Sequence, residues 1–480
     1  MNLKFKKENF FFGINNSLLK NSWIKNKPDT RLSLNISQKY SLTNNIANIL
    51  ALRVNDINEI KNFLKPNLDY YLPDPTIFND LKKAADRVFK AVKEKEKITI
   101  LGDYDVDGLS SIVLLRKFLS FFDVDTYSYI PDRITEGYGP NFKAIDKIKA
   151  QKTSLLIMVD CGTNSHEVIS YVKKNKMDLI IIDHHKSFEK HINYLSLVNP
   201  NSIFDNSGYG FLCSTGLTFI FINYLQKLFK LKNFLSKKIP DINMFLDLVA
   251  LATVCDVVPL VGINRALVKQ GLKVISRRTN AGLAALSDVG GIDEKPGSYH
   301  LGFILGPRIN AGGRVGSPAL GSLLLSTENN AEAKHIAIQL DALNGERRDI
   351  EQVVLNDALN QMISEREAAG PVAFVAGKGW HPGVVGIIAS RLKDRFNRPA
   401  CVLAISDNSE VATGSGRSVI GVDLGAAVIA AHQAGIINKG GGHTMAAGFT
   451  LELARLEDFR NFLNERIGAQ IKATGIVPTL

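Results

Sequence analysis

Ile98-Thr99-Ile100-Leu101-Gly102-Asp103-Tyr104-Asp105-Val106-Asp107-Gly108 is the stretch that decides the fold class. Its first four residues are a short apolar run with β-branched members, the pattern of a buried strand. The run feeds directly into three acids at alternate positions between two glycines. In extended backbone, alternate residues share a face. Three carboxylates so placed repel one another strongly unless cations sit among them, so the spacing points to divalent metal. Gly102 and Gly108 permit the tight backbone such a loop needs.

The same pattern recurs downstream. Leu155 to Val159 and Leu179 to Ile182 are two further apolar runs, and Leu81 to Val92 has helical periodicity. Strands separated by helix-length segments predict a parallel α/β sheet. The two later runs end in Val159-Asp160-Cys161-Gly162 and Ile182-Asp183-His184-His185, so three successive strands deliver carboxylate or imidazole at their carboxyl ends. Ligands bind at that edge of open parallel sheets. A lone Asp-x-Asp loop is commonly a turn or a helix cap; the convergence of three such ends makes the argument. Asp256, within Thr253-Val254-Cys255-Asp256-Val257-Val258-Pro259, is an acid among apolar residues, and metal is its natural partner.

Helical text dominates from about 210 to 285, and Ala331 to Glu367 reads as a long helix with few breakers apart from Gly345. A second α/β unit opens at Val372-Ala373-Phe374-Val375-Ala376, continues through a helix from Val384 to Arg395 and returns to a strand at Ala400 to Ile405. Residues 1–75, Asn/Lys-rich and closed by Leu72-Pro73-Asp74-Pro75, read as an N-terminal extension with little chemistry. The expected organisation is residues 1–75 as that extension, 76–330 as a parallel-sheet domain, 331–368 as a connecting helix and 369–480 as a smaller α/β domain. The fold class is therefore α/β and two-lobed.

With 480 residues, 45% hydrophobic and 22% charged, the chain is long enough for two or three globular cores and is neither fibrous nor disordered. A net charge of +11 favours a polyanionic partner, although the Lys/Asn excess of the first hundred residues accounts for part of it. Cys161, Cys213, Cys255 and Cys401 lie far apart with no CxxC pair, so neither a zinc knuckle nor a disulfide framework is suggested, and a reducing compartment fits. Phe10-Phe11-Phe12 is too brief for a signal peptide, and the apolar stretch from Phe211 to Leu231 is interrupted by polar residues, so it reads as a buried helix. A cytoplasmic protein without membrane association is expected. Oxygen ligands with one or two imidazoles suit Mn²⁺ or Mg²⁺ better than structural zinc, and two such ions fit phosphoester hydrolysis.

GDYDVDG, VDCG, DHH and TVCDVVPL resemble the four motifs of the DHH phosphoesterase superfamily. Gly379-Trp380-His381-Pro382-Gly383-Val384-Val385-Gly386 and Gly440-Gly441-Gly442-His443-Thr444-Met445-Ala446-Ala447-Gly448 resemble its DHHA1 companion domain. Gly306-Pro307-Arg308-Ile309-Asn310-Ala311-Gly312-Gly313-Arg314 and Gly414-Ser415-Gly416-Arg417-Ser418 are similar to the branch of single-strand-specific 5′→3′ DNA exonucleases, the likeness running over about residues 76–450. It implies a dinuclear site in which Asp160 bridges, Asp103 and Asp105 serve one Mn²⁺ or Mg²⁺, Asp107 and His184 serve the other, and Asp256 completes the set. His185 would contact the scissile phosphate, with Asp183 orienting an imidazole. Arg133, Arg308, Arg314, Ser415, Arg417 and His443 would hold the 5′ end and backbone of the single strand.

The glycine run before His443 could form an anion site ahead of a helix and face the metal cleft. The glycines beside Arg308 and Arg314 would let the strand approach the backbone. Where the superfamily loop sometimes opens with a histidine, this sequence has Leu101, which leaves Asp103 to serve instead. The resemblance also implies a single-strand-binding OB-fold after DHHA1; the 480 residues end soon after the last motif, naturally or by truncation, which leaves affinity and processivity open. The implied activity is metal-dependent 5′→3′ hydrolysis of single-stranded DNA in repair and recombination, by a monomer, with a helicase or single-strand-binding protein as partner. The alternative is a phosphodiesterase of short oligonucleotides or cyclic dinucleotides.

Overall fold

The computed structural model describes residues 10–14, 16–18, 22–133, 135–137, 139–187, 194–234, 241–363, 370–406 and 410–474. Two compact units emerge, one of residues 58–345 and one of residues 1–57 with 346–480. A helix over Asn330–Ile363 carries residues of both. The last part of the long helix read from the sequence, 364–367, lies outside the described residues.

The first unit is built on five strands, β1 (Ile98–Gly102), β2 (Thr126–Tyr129), β3 (Leu155–Val159), β4 (Asp178–Ile182) and β5 (Ser196–Val198), all parallel in the order β2-β1-β3-β4-β5. The central strands β1, β3 and β4 read as nearly continuous apolar runs because both faces are covered, whereas edge strand β2, Thr-Tyr-Ser-Tyr, is half-exposed. Ile98, Ile100, Ile157, Val159, Ile180 and Ile182 face one core, with the helices Leu81–Lys93, Val106–Ser120 and Ser214–Leu231. Leu101, Leu156, Met158, Leu179 and Ile181 face the other, with Phe142–Ala150 and His166–Lys174. In this order β2 is laid on one side of β1 and β3 to β5 on the other, and the switch between β1 and β3 opens a crevice at their carboxyl ends.

The stretch read as an N-terminal extension carries the short helices Thr30–Tyr40, Asn44–Ala51, Glu59–Leu64 and Leu68–Tyr71, the first capped by Asp29 on the Leu32 amide. Ser214–Leu231 is the helix expected from the apolar stretch at 211–231, and no described helix is long and apolar enough to cross a membrane.

The second unit holds a mixed sheet in the order β6-β7-β8-β10-β9, formed by β6 (Ala373–Lys378), β7 (Ala400–Ile405), β8 (Val411–Arg417), β9 (Lys439–His443) and β10 (Ala446–Glu452). Among its described pairs, only β6 and β7 are parallel. Ala373, Val375, Ala400 and Val402 pack against the helix Val385–Phe396 and against Val354, Ala358 and Met362. Trp380 lies on Gly377, where a Cβ would sit 2.1 Å from its ring, and its Nε1 donates to Asp357 at 2.8 Å. The glycine run Gly440–Gly442 corrects an expectation: it is the body of edge strand β9, not a turn ahead of a helix. Glycine is a poor strand former, but pairing with Ala447, Gly448 and Phe449 of β10 fixes these residues in extended form.

Candidate metal centre

The loop after β1 brings its acids together by a different route from shared strand faces. The chain turns into a helix at Val106, with Asp105 as its N-cap: Asp105 Oδ1 accepts from the amides of Asp107 at 3.0 Å and Gly108 at 3.1 Å. Asp107 therefore sits in the first helical turn rather than on an extended run. Gly108 is obligatory here, since a Cβ would lie 2.4 Å from the Asp103 carbonyl oxygen. Asn310 Oδ1 accepts from the Val106 amide at 3.0 Å and fastens this turn.

Asp107 is buried against the start of the Ser214–Leu231 helix, accepting from the amides of Ser214 at 2.7 Å and Thr215 at 2.8 Å and from Thr215 Oγ1 at 2.7 Å. A helix N-terminus is a natural anion seat. Ser214 and Thr215 escaped sequence reasoning, although a Ser-Thr pair opening an apolar helix signals an N-terminus. Asp160 follows β3 with φ +59°, a left-handed conformation that costs a non-glycine residue about 1–3 kcal/mol and tends to persist at functional sites. Asp256 follows the carboxyl end of the helix Leu246–Cys255, bonded to it through its backbone amide.

These side chains converge. His184 Nε2 stands 3.3 Å from Asp160 Oδ1 and 3.8 Å from Asp107 Oδ2, and its Nδ1 is 3.7 Å from Asp256 Oδ2. Three overlapping groups result, Asp103/Asp105/Asp160, Asp107/His184/Asp256 and Asp160/His184/His185, each with donor atoms within 4.8 Å of one another. Asp103 Oδ1, Asp160 Oδ1 and Asp256 Oδ2 are buried with no hydrogen-bond partner. Buried polar atoms are ordinarily satisfied, so three carboxylate oxygens without hydrogen bonds, two beside the His184 imidazole and one in the group that Asp160 shares with Asp105, fit a cation site. Burial, and then the neighbouring carboxylates, raises Asp103 and Asp160 well above the usual range, and the same causes push Asp256 up to about 9.

Cys161 and Cys213, buried beside the acids, are raised by burial and then by nearby carboxylates, so they stay as thiols. The donors are oxygen and nitrogen, a set suited to Mn²⁺ or Mg²⁺. Asp183 takes the orienting position: its Oδ1 lies 2.7 Å from His185 Nδ1 and accepts from the His184 amide at 2.7 Å. Burial works against a charged His185, but the charge and hydrogen bond of Asp183 outweigh it and lift the imidazole to about 9.

The arginines divide. Arg133 lies over the Tyr104 ring at 5.2 Å, beside the metal loop. The segment holding Arg308 and Arg314 is a helix, Gly306–Val315, and its glycines serve close helix packing: a Cβ on Gly313 would lie 3.0 Å from the Tyr104 carbonyl oxygen. Arg308 is engaged internally, with Nε 2.8 Å from Asp341 and Nη1 donating to the Ile304 carbonyl oxygen at 2.8 Å.

Ser415, Arg417 and His443 belong to the second unit. Ala446 pairs with Arg417 on one side and His443 on the other, and Gly448 pairs with Ser415 and Gly441. These residues share one sheet face, above which Gly441 and Gly448 have nothing within 4 Å. Beside them, a Cβ on Gly386 would lie 3.3 Å from an Arg417 guanidinium nitrogen.

A parallel sheet with carboxylates at its switch point and a second mixed-sheet unit define a two-part phosphoesterase class, and the family models agree: residues 97–253 match the DHH family N-terminal domain and 369–469 the DHHA1 domain. Within that class the chain belongs to the family of the single-stranded-DNA-specific exonuclease RecJ. It is 33% identical over 400 residues to the Escherichia coli protein of that name, covering 81% of this chain and 69% of that one. To the Bacillus subtilis protein it is 34% identical over 444 residues, covering 92% of this chain but 55% of the relative, so it spans about half of that length. A crystal structure of exonuclease RecJ bound to manganese matches with a TM-score of 0.69 at 29% identity, covering 82% of this chain and 95% of that one. RecJ of Thermus thermophilus with Mn²⁺ matches at 0.76 and 25% identity, covering 93% and 62%.

Proposed function

We propose that this chain is a metal-dependent exonuclease that hydrolyses phosphodiester bonds of single-stranded DNA from the 5′ end. The observation that carries the reading is the set of buried oxygens without a hydrogen-bond partner on Asp103, Asp160 and Asp256, with His184 beside the latter two and Asp160 shared with Asp103, in a family whose members are solved with Mn²⁺ or Mg²⁺. Asp103, Asp105 and Asp160 would hold one ion, and Asp107, His184 and Asp256 the other, with Asp160 shared. Bound there, two such ions supply an activated water and neutralise the leaving oxygen.

The remaining steps fall to the chain's own side chains. His185, aligned and kept charged by Asp183, contacts the scissile phosphate and stabilises charge developing on it. Arg133, held over the Tyr104 ring, and Arg314 serve the 5′ phosphate. Ser415, Arg417 and His443 line the open glycine floor of the second sheet, where a phosphate backbone can lie close to the chain. Family membership further supports a monomer working in cytoplasmic DNA repair and recombination beside a helicase or single-strand-binding protein.

The test is Mn²⁺-dependent digestion of 5′-labelled and 3′-labelled single strands, with a dinucleotide offered in parallel and Asp160→Ala as control. Label release from the 5′ end, lost in the variant, is expected. Release from the 3′ end overturns the polarity, preference for the dinucleotide overturns the substrate, and undiminished activity in the variant overturns the metal centre.

A further inference from the structure

The loop carrying His184 and His185 has three consecutive carbonyl oxygens, and each accepts from an asparagine amide. Asn201 Nδ2 donates to the His184 oxygen at 2.6 Å, Asn199 Nδ2 to the His185 oxygen at 2.8 Å and Asn164 Nδ2 to the Lys186 oxygen at 2.9 Å. Asn201 Nδ2 also donates to the Gly210 carbonyl oxygen at 2.8 Å, and the Asn201 amide donates to Asn199 Oδ1 at 2.8 Å, so the two asparagines beyond β5 form one unit. Fully buried Asn199 donates in addition to Thr163 Oγ1 at 3.0 Å, and the Thr163 amide donates to Asp183 Oδ2 at 3.1 Å. His185 is thus held through its ring by Asp183 and through its backbone by Asn199, with Thr163 closing the circuit.

We infer that Asn201 and Asn199 are positioning residues for the two histidines, Asn201 fixing His184 for metal binding and Asn199 fixing His185 for turnover. A loop without regular structure has no ladder to hold its carbonyls, and an imidazole ligand displaced by a fraction of an ångström loses its geometry. Partners that orient ligands in this way typically contribute about 10–100-fold in metal affinity or activity. Gly210 belongs to the device: a Cβ there would lie 2.3 Å from Asn201 Oδ1, so the asparagine needs a glycine opposite it. The inference rests on the proposed roles of His184 and His185, and its test separates the two.

The variants are Asn201→Ala, Gly210→Ala, which disturbs Asn201 without replacing it, and Asn199→Ala, with His184→Ala as reference. Mn²⁺ binding to the DNA-free protein is followed by the electron paramagnetic resonance of unbound Mn²⁺, together with thermal melting and with kcat and KM on single strands. Asn201→Ala and Gly210→Ala should each weaken one of the two Mn²⁺ ions by about tenfold or more and recover kcat at high Mn²⁺. Asn199→Ala should lose about tenfold in kcat that excess Mn²⁺ does not restore, with KM little changed. Wild-type Mn²⁺ affinity in Asn201→Ala and Gly210→Ala, alongside weakened binding in His184→Ala, overturns the inference and leaves the metal centre standing. Wild-type binding in His184→Ala overturns both. Lowered melting temperatures with unaltered Mn²⁺ affinity and kcat reduce the asparagines to a structural role and overturn it as well.

Discussion

Replacing Asp160 with asparagine should stabilise the metal-free protein and cost it most of its response to Mn²⁺. Donor atoms of Asp160, Asp103 and Asp105 lie within 4.8 Å of one another. At an effective dielectric near 20, two like charges at that separation repel by about 3.5 kcal/mol. Burial has already raised Asp160 well above the usual carboxylate range, so proton uptake caps the strain in the wild type. Asparagine removes the charge at nearly constant shape and tolerates the left-handed backbone at φ +59° better than most residues. A gain of about 2 kcal/mol at pH 8, or about 2–3 °C in melting temperature, is expected without metal.

The sign follows from linkage. An acid whose folded pKa is raised imposes its penalty as pH rises, so the advantage of the variant should fade below about pH 5. With free Mn²⁺ at about 100 times Kd, each ion adds about 2.7 kcal/mol to the wild type. Asp160 takes part in two of the three donor groups, so the variant should retain less than half of the combined gain. Thermal melts in chelator and in Mn²⁺ measure both effects. A metal-free variant less stable than wild type, or one with an undiminished Mn²⁺ response, would refute the reasoning.

Gly448→Val adds a side chain where nothing lies within 4 Å and should leave the melting temperature unchanged while raising KM for single-stranded DNA; Gly414→Ala, whose Cβ would sit 2.3 Å from Phe449, should destabilise by about 1–3 kcal/mol as an overpacked core. Arg417→Gln should weaken DNA binding and reduce the slope of log affinity against log salt by about one in filter-binding titrations, since one phosphate contact is lost. Asp247, buried on the helix Leu246–Cys255, is pushed up to about 6 by burial, so it penalises the fold increasingly as pH rises through 4 to 6. Asp247→Asn should therefore raise stability at pH 8, by at most about 3 kcal/mol, and change it little at pH 4 in denaturant unfolding.

The first sheet and its ligand edge were legible because burial on both faces forces strands into unbroken apolar runs, and the residue after such a run must sit at the sheet's edge. Asp160 and His184 could be placed on that ground alone. The backbone around Asp105 could not. An acid two residues before another, ahead of an apolar segment, is written identically for an extended loop and for a helix cap, and the helix starting at Val106 decides the matter. Strand β9 was hidden for a related reason: Lys439–His443 owe their extended form to pairing with β10, which no local propensity reports. Asn199 and Asn201 were hidden because their partners, carbonyls 14 and 17 residues away, leave no mark on side-chain type.

Asp105 performs two duties with one carboxylate, closing the turn at the head of a helix and presenting charge to the ligand cluster. Asp256, at the tail of its own helix, has an oxygen with no hydrogen bond, and the bonds it makes to that helix come from its backbone amide, not its side chain. Descendants that abandon hydrolysis while keeping the fold are therefore under unequal pressure at the two sites. Position 105 should drift only among asparagine, serine and threonine, which still cap, whereas position 256 is free to accept almost any small side chain. The order in which acids disappear from such a lineage would then record which of them the fold itself required.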